Sequence, residues 1–125
     1  MPANSKSICI LDDDSSMRRA IKQLLDSHGL MALTFEDAED FLTHARHNPV
    51  RLAILDAWMP GTSGLEVQAR LNEVSPDTKV IVVTAKETPA IRAAAMEGGA
   101  FAFVLKPFDH EAFLSLVRQA LRAAA

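Results

Sequence analysis

Apolar residues along this chain fall into two patterns that take turns from one end to the other. Short runs rich in Ile, Val and Leu are each followed by a longer stretch in which apolar positions recur every three or four residues. A β-branched run suits a strand, and a 3.6-residue period suits a helix that buries one face, so the alternation predicts successive βα units. The first unit has a strand at 7–11 and a helix at about 15–28, with Met17, Ala20, Ile21, Leu24 and Leu25 on its apolar face and Gly29 as its stop. A weaker second strand at 30–35 precedes a helix at 37–47 that carries Ala38, Phe41, Leu42 and Ala45 and is broken by Asn48-Pro49. The third strand, 52–55, leads into a glycine-rich turn at 60–64 and a helix at 65–74 that ends before Pro76. The run 79–84 is the most continuous β-branched stretch, as a strand buried on both faces requires. Pro89 suits the first turn of a fourth helix that Gly98-Gly99 ends near residue 96. A fifth strand at 100–105 is followed by a last helix at 109–122, packing through Phe113, Leu116, Val117, Ala120 and Leu121.

Five such units joined by crossovers predict an α/β fold, an open, doubly wound parallel sheet with helices on both faces. At 125 residues, 49% of them hydrophobic, the chain has material for one core, so 1–125 is expected to be a single domain. The net charge of −3 lacks the basic excess that neutralising nucleic-acid phosphates requires, and Lys and Arg form no cluster in the sequence. This segment is not expected to bind DNA itself. Cys9, the single cysteine, excludes an internal disulfide and reads as a buried, inert thiol of a reducing compartment. No apolar stretch approaches the ~20 residues needed to cross a bilayer, and residues 1–7 contain no signal-peptide core. A cytoplasmic location without membrane contact is the expectation.

Ligands of open α/β sheets bind outside the carboxyl ends of the strands. Asp12, Asp13 and Asp14 follow the first strand, Asp56 follows the third, Thr84 ends the fourth and Lys106 follows the fifth. Carboxylates that converge repel one another unless a cation sits among them or one stays protonated. A hard divalent cation, Mg2+ or Mn2+, accepts such oxygen ligands and leaves positions for phosphate oxygens. Asp56 is then the plausible nucleophile towards phosphorus, with Lys106 and the Thr84 hydroxyl meeting the transferring oxygens.

The segments Ile8-Cys9-Ile10-Leu11-Asp12-Asp13-Asp14, Leu55-Asp56-Ala57-Trp58-Met59-Pro60-Gly61, Val82-Val83-Thr84-Ala85 and Phe103-Val104-Leu105-Lys106-Pro107-Phe108, taken together, resemble the receiver domains of two-component response regulators. The resemblance covers essentially the whole chain, and Phe35 to Leu42 is similar to the second-helix entry of receivers linked to helix-turn-helix DNA-binding outputs. It implies a flavodoxin-like (βα)5 sheet of order 2-1-3-4-5. It also implies Asp56 as phosphoacceptor, Asp12 and Asp13 as an acidic pair, Thr84 as a switch hydroxyl and Lys106 as the phosphate-binding lysine. The metal would be held by Asp13, Asp56 and the Trp58 backbone carbonyl, with Asp12 acting through water. A cis bond before Pro107 is implied as well, and Phe103 would be an aromatic that turns inward on activation, with an ordinary core aromatic as the equal alternative. Phe103 and Phe101 would add to a partner surface on the fourth helix, fifth strand and last helix. Trp58 and Lys86 stand where the family tunes attack of water on the acyl phosphate, and a bulky indole would lengthen its lifetime.

The implied partners are a histidine kinase or phosphotransfer protein and, once phosphorylated, a second copy of the chain, with transcription as the output. A stand-alone receiver and a pseudo-receiver that works without phosphorylation stay open as alternatives. Rival chemistries fit less well. A haloacid-type phosphatase wants an acid where Trp58 stands, a P-loop needs a glycine-rich turn where Asp12 to Asp14 stand, and three aspartates oppose an anionic flavin phosphate. Asp14 reads equally as a helix cap or as part of the acidic set. His28, His44, His47 and His110 lack paired metal-ligand spacing and read as solvated surface.

Overall fold

The computed structural model describes residues 7–59 and 61–124, so Pro60 of the third turn lies outside the described residues. Five parallel strands form one sheet: β1 (Ile8–Leu11), β2 (Ala32–Phe35), β3 (Leu52–Asp56), β4 (Lys79–Thr84) and β5 (Ala102–Leu105), in spatial order β2-β1-β3-β4-β5. Five helices connect or follow them: α1 (Ser15–Asp26), α2 (Ala38–His47), α3 (Gly64–Val74), α4 (Pro89–Glu97) and α5 (His110–Ala123). The doubly wound α/β architecture and strand order are those expected. The 60–64 turn differs from its expectation, because Thr62–Ser63 within it pairs with Trp58–Met59 as a two-residue antiparallel ladder.

Side chains along a strand point alternately to its two faces, and the sheet uses that period to build two cores. Cys9, Leu11, Ala53, Leu55, Val80 and Val82 face α2, α3 and α4 with Phe41, Leu42, Val67, Leu71 and Ala95. Their neighbours Ile8, Ile10, Leu52, Ile54, Ile81 and Val83 face α1 and α5 with Ile21, Leu25, Phe113 and Val117. Of the face expected for α1, Ile21 and Leu25 are buried while Ala20 is exposed. The helix starts are fixed chemically by Asp14, Ser63, Thr88 and Asp109, whose side chains each accept a backbone N–H of the first turn. Each such cap stabilises its helix by about 1 kcal/mol. Asp14 therefore has the capping role, accepting from the Ser16 and Met17 amides.

One expectation needs correction here, and one holds. Arg18, Arg19 and Lys22 do cluster, lining one recess of α1 with Ser15 and Thr34, because helical spacing gathers cations that the linear sequence separates. Cys9 is buried as expected, and burial alone pushes its thiol up to about 12, so it stays protonated and unreactive.

Candidate functional site

Strand register brings the acidic residues together. Leu11 pairs with Leu55, so the residues that follow them, Asp12 and Asp56, stand side by side at the carboxyl edge of the sheet. Thr84 pairs with Leu105, which sets Lys106 beside the same edge from the far side. One carboxylate oxygen from each of Asp12, Asp13 and Asp56 lies within 4.8 Å of the others. Asp12 and Asp56 are buried and Asp13 is exposed, so the set opens to solvent through Asp13. A cleft of about 700 Å³ stands over it, with Asp13, Asp56, Trp58, Ala85, Lys86 and Lys106 in its walls.

Two adjacent buried carboxylates need compensation. The Lys106 ammonium donates to Asp12 Oδ2 at 3.0 Å and stands 3.7 Å from Asp56 Oδ2. Asp12 Oδ1 accepts the Asp14 amide, and Asp56 Oδ1 accepts the Trp58 amide at 3.2 Å. These bonds do not fully offset the loss of water around Asp56. Burial pushes its carboxyl up to about 6; the Trp58 N–H opposes the rise, the Asp12 charge adds to it, and Lys106 opposes it. Asp56 is thus a carboxylate of raised basicity at the base of an open cleft, next to a fixed cation. That combination suits nucleophilic attack on an electrophile with anionic oxygens.

Not every expected residue faces this cleft. Thr84 is fully buried, and its hydroxyl is engaged with the loop that follows, donating to the Lys86 carbonyl at 2.9 Å and accepting the Lys86 amide at 3.1 Å. Trp58 stands in the cleft wall, and its indole donates to the same Lys86 carbonyl at 3.2 Å. The Lys106–Pro107 bond is cis, as the resemblance implies, and Pro107 is exposed. Sequence reasoning missed Gly64. Its Cα packs so tightly on the Asp56 peptide that a Cβ there would lie 2.1 Å from the Asp56 carbonyl oxygen. The available signal was a glycine inside the Ser63…Glu66 capping box, where helix propensity favours almost any other residue.

A family model described as the response regulator receiver domain matches residues 8–118. The chain belongs to that family. Among curated relatives of this receiver domain, the C4-dicarboxylate transport transcriptional regulatory protein DctD of Pseudomonas aeruginosa is 36% identical over 114 residues, covering 91% of this chain and 25% of its own length. The response regulator protein TodT of Pseudomonas putida is 34% identical over 124 residues, covering 99% of this chain and 55% of its own. The chain thus spans between a quarter and just over half of these relatives. Among solved structures, a CheY-like receiver domain protein from Methanospirillum hungatei superposes with a TM-score of 0.89 at 25% identity, covering 95% of each chain. The beryllofluoride-activated NtrC4 receiver domain dimer superposes equally well, at 0.89 and 26% identity over 94% of this chain and 98% of its own.

On this receiver domain the expected partner surface needs revision. Phe103 is only 9% exposed and belongs to the core under α4. Its ring is covered by the Arg92 guanidinium, 5.1 Å from the ring centroid, so it offers no surface to a partner. Phe101 is half-buried against the other core, because its side chain points to the α1–α5 face of the sheet. Exposed apolar side chains on this part of the receiver are Leu105 and Met96, at 41% and 44%. No helix among the described residues is long and apolar enough to cross a membrane.

Proposed function

We propose that residues 1–125 form one receiver domain that accepts a phosphoryl group on Asp56 and hands the signal on through its surface, in a cytoplasmic regulator of transcription. The observation that carries this reading is the Asp12–Asp13–Asp56 carboxylate set beside the Lys106 ammonium at the open edge of the sheet. Asp56 acts as nucleophile: an Oδ lone pair forms the new bond to phosphorus while the bond to the donor's leaving group breaks, and the leaving group keeps the electron pair. Lys106 balances charge on the transferring oxygens, and the Thr84 hydroxyl leaves Lys86 to bond one of them. The donor is a histidine kinase or phosphotransfer protein, and slow loss of the group to water returns the resting state.

Three carboxylate oxygens within 4.8 Å form a hard donor set of the kind Mg2+ prefers, so the residues fit a divalent ion. Asp13, Asp56 and the Trp58 carbonyl would hold it, with Asp12 behind them. When bound it supplies charge neutralisation to phosphoryl oxygens. Trp58 is the single tryptophan and is half exposed, so its emission is expected to change on titration with Mg2+ and to stay flat in Asp13→Asn. A flat wild-type titration would remove the carbonyl from the ligand set, and identical titrations of the two proteins would remove Asp13.

The decisive experiment is incubation with acetyl phosphate and Mg2+ followed by intact mass. One phosphoryl adduct is expected on the wild type and none on Asp56→Asn. A wild type that stays unmodified points to the pseudo-receiver alternative.

A further inference from the structure

Two contacts meet at residues 86 and 87. The Lys86 carbonyl holds the Thr84 hydroxyl, and the next residue, Glu87, accepts from Arg92 Nε at 2.7 Å. That bond reaches from the loop before α4 to the helix's first turn, where the Arg92 amide is bonded to the Thr88 carbonyl. Held there, the Arg92 guanidinium lies over the Phe103 ring at 5.1 Å. A cation over an aromatic face is attracted by the ring quadrupole, and here it also closes the ring's route to solvent. The helix itself adds Ala95, its one buried residue, and the half-buried Ile91 to this core. Phe103 carries no hydroxyl, so no hydrogen bond can tie it to Thr84. The contiguous path Thr84–Lys86–Glu87–Arg92–Phe103 does so through side-chain and backbone contacts instead.

We propose that Arg92 is the latch that couples the Thr84 hydroxyl to the Phe103 ring, seated on the ring by Glu87 in the resting state and withdrawn when the loop moves. The proposal rests on the phosphoacceptor reading. Departure of the Thr84 hydroxyl towards a phosphoryl group on Asp56 breaks both of its bonds to Lys86 and frees the loop. Glu87 then shifts, the guanidinium leaves the ring, and the α4–β5 surface changes shape and charge together. Coupling of this kind needs an element with two discrete arrangements, and the seated or withdrawn arginine is that element.

The test is fluorine NMR on protein carrying fluorophenylalanine, with the Phe103 signal assigned by Phe103→Leu. In the unphosphorylated protein, Arg92→Ala and Glu87→Gln should each move the Phe103 signal, and Arg92→Lys should move it less. On addition of beryllofluoride with Mg2+, the wild-type Phe103 signal should shift. The Arg92→Ala signal should respond weakly, and that variant should bind the reagent about two- to fivefold more tightly, since the latch no longer opposes the change. A Phe103 signal indifferent to both variants, or wild-type affinity and response in Arg92→Ala, overturns the proposal. A wild type that takes up neither beryllofluoride nor phosphoryl group sinks the phosphoacceptor reading and the coupling with it, while the resting-state comparison still reports whether Arg92 sits on Phe103.

Discussion

Replacing Asp56 with Asn is expected to make the metal-free protein more stable at pH 7.5, not less. The carboxyl is pushed up to about 6 in the folded state, chiefly by burial, against 3.8 as its ordinary value. A carboxyl whose folded pKa is raised stabilises the fold fully below its unfolded pKa and loses that contribution as pH rises through the folded pKa. Between about pH 4 and 6 the unfolded chain sheds the proton while the folded one keeps it, so stability falls across that window and is level above it. The difference of roughly two pKa units corresponds to about 3 kcal/mol, an upper figure for what the neutral amide recovers. For a domain of this size a recovery of about 2 kcal/mol raises Tm by roughly 8 °C. Paired melts of wild type and Asp56→Asn, without divalent cations, should therefore separate at pH 7.5 and converge near pH 3.5. Mg2+ should narrow the gap at pH 7.5 by raising the wild type, because a ligand of the folded state alone stabilises by mass action. Coincident melts at pH 7.5 would show that Lys106 and the Trp58 amide already satisfy Asp56, and the electrostatic case for a divalent ion would lose its main support.

The same carboxylates show which parts of the molecule were legible from its sequence. Alternating periodicities were enough to order the ten elements, because strands buried on two faces are continuous apolar runs and each helix needs only one apolar stripe. The rule that ligands gather at strand carboxyl ends then selected Asp12, Asp13, Asp56 and Lys106, and register alone delivers them to one edge. What stayed hidden depends on contacts between residues far apart in sequence. Phe103 reads equally as a switch aromatic and as an ordinary core aromatic until Arg92 is seen over it, and the Gln68 amide is found buried only in the fold, donating to the Ala95 carbonyl at 3.0 Å. Thr84 ends its strand at the sheet edge, a position its sequence context marks. Its rotamer, turned to Lys86, is a property of the resting loop that no pattern of residue types encodes.

Gly64→Ala is expected to be the most damaging single-methyl change in the chain. The added Cβ would lie 2.1 Å from the Asp56 carbonyl oxygen, 2.9 Å from its carbon and 3.0 Å from the Ala57 Cα. All three are backbone atoms at the end of a strand buried on both faces, so none can swing aside as a side-chain tip could. Relief requires α3 to back away, which breaks the Gly64 amide bond to the Ala57 carbonyl at 3.1 Å and opens the core beneath Val67 and Leu71. Overpacking of well-packed interiors typically costs about 1–3 kcal/mol, and a rigid clash this short belongs at or above the top of that range. On a total stability on the order of 5–15 kcal/mol, that lowers Tm by roughly 10 °C or more. Gly29→Ala provides the control. That residue has φ +76° and nothing within 4 Å of its Cβ position, so the change strains only the backbone, at about 1 kcal/mol. If space rather than backbone freedom is what Gly64 supplies, Gly64→Ala must melt well below Gly29→Ala. It should also accept phosphoryl from acetyl phosphate more slowly at a temperature where both are folded, because the peptide displaced is that of Asp56 itself. Equal melting of the two variants would mean that α3 can retreat at little cost, and that the close contact does not hold Asp56 in place.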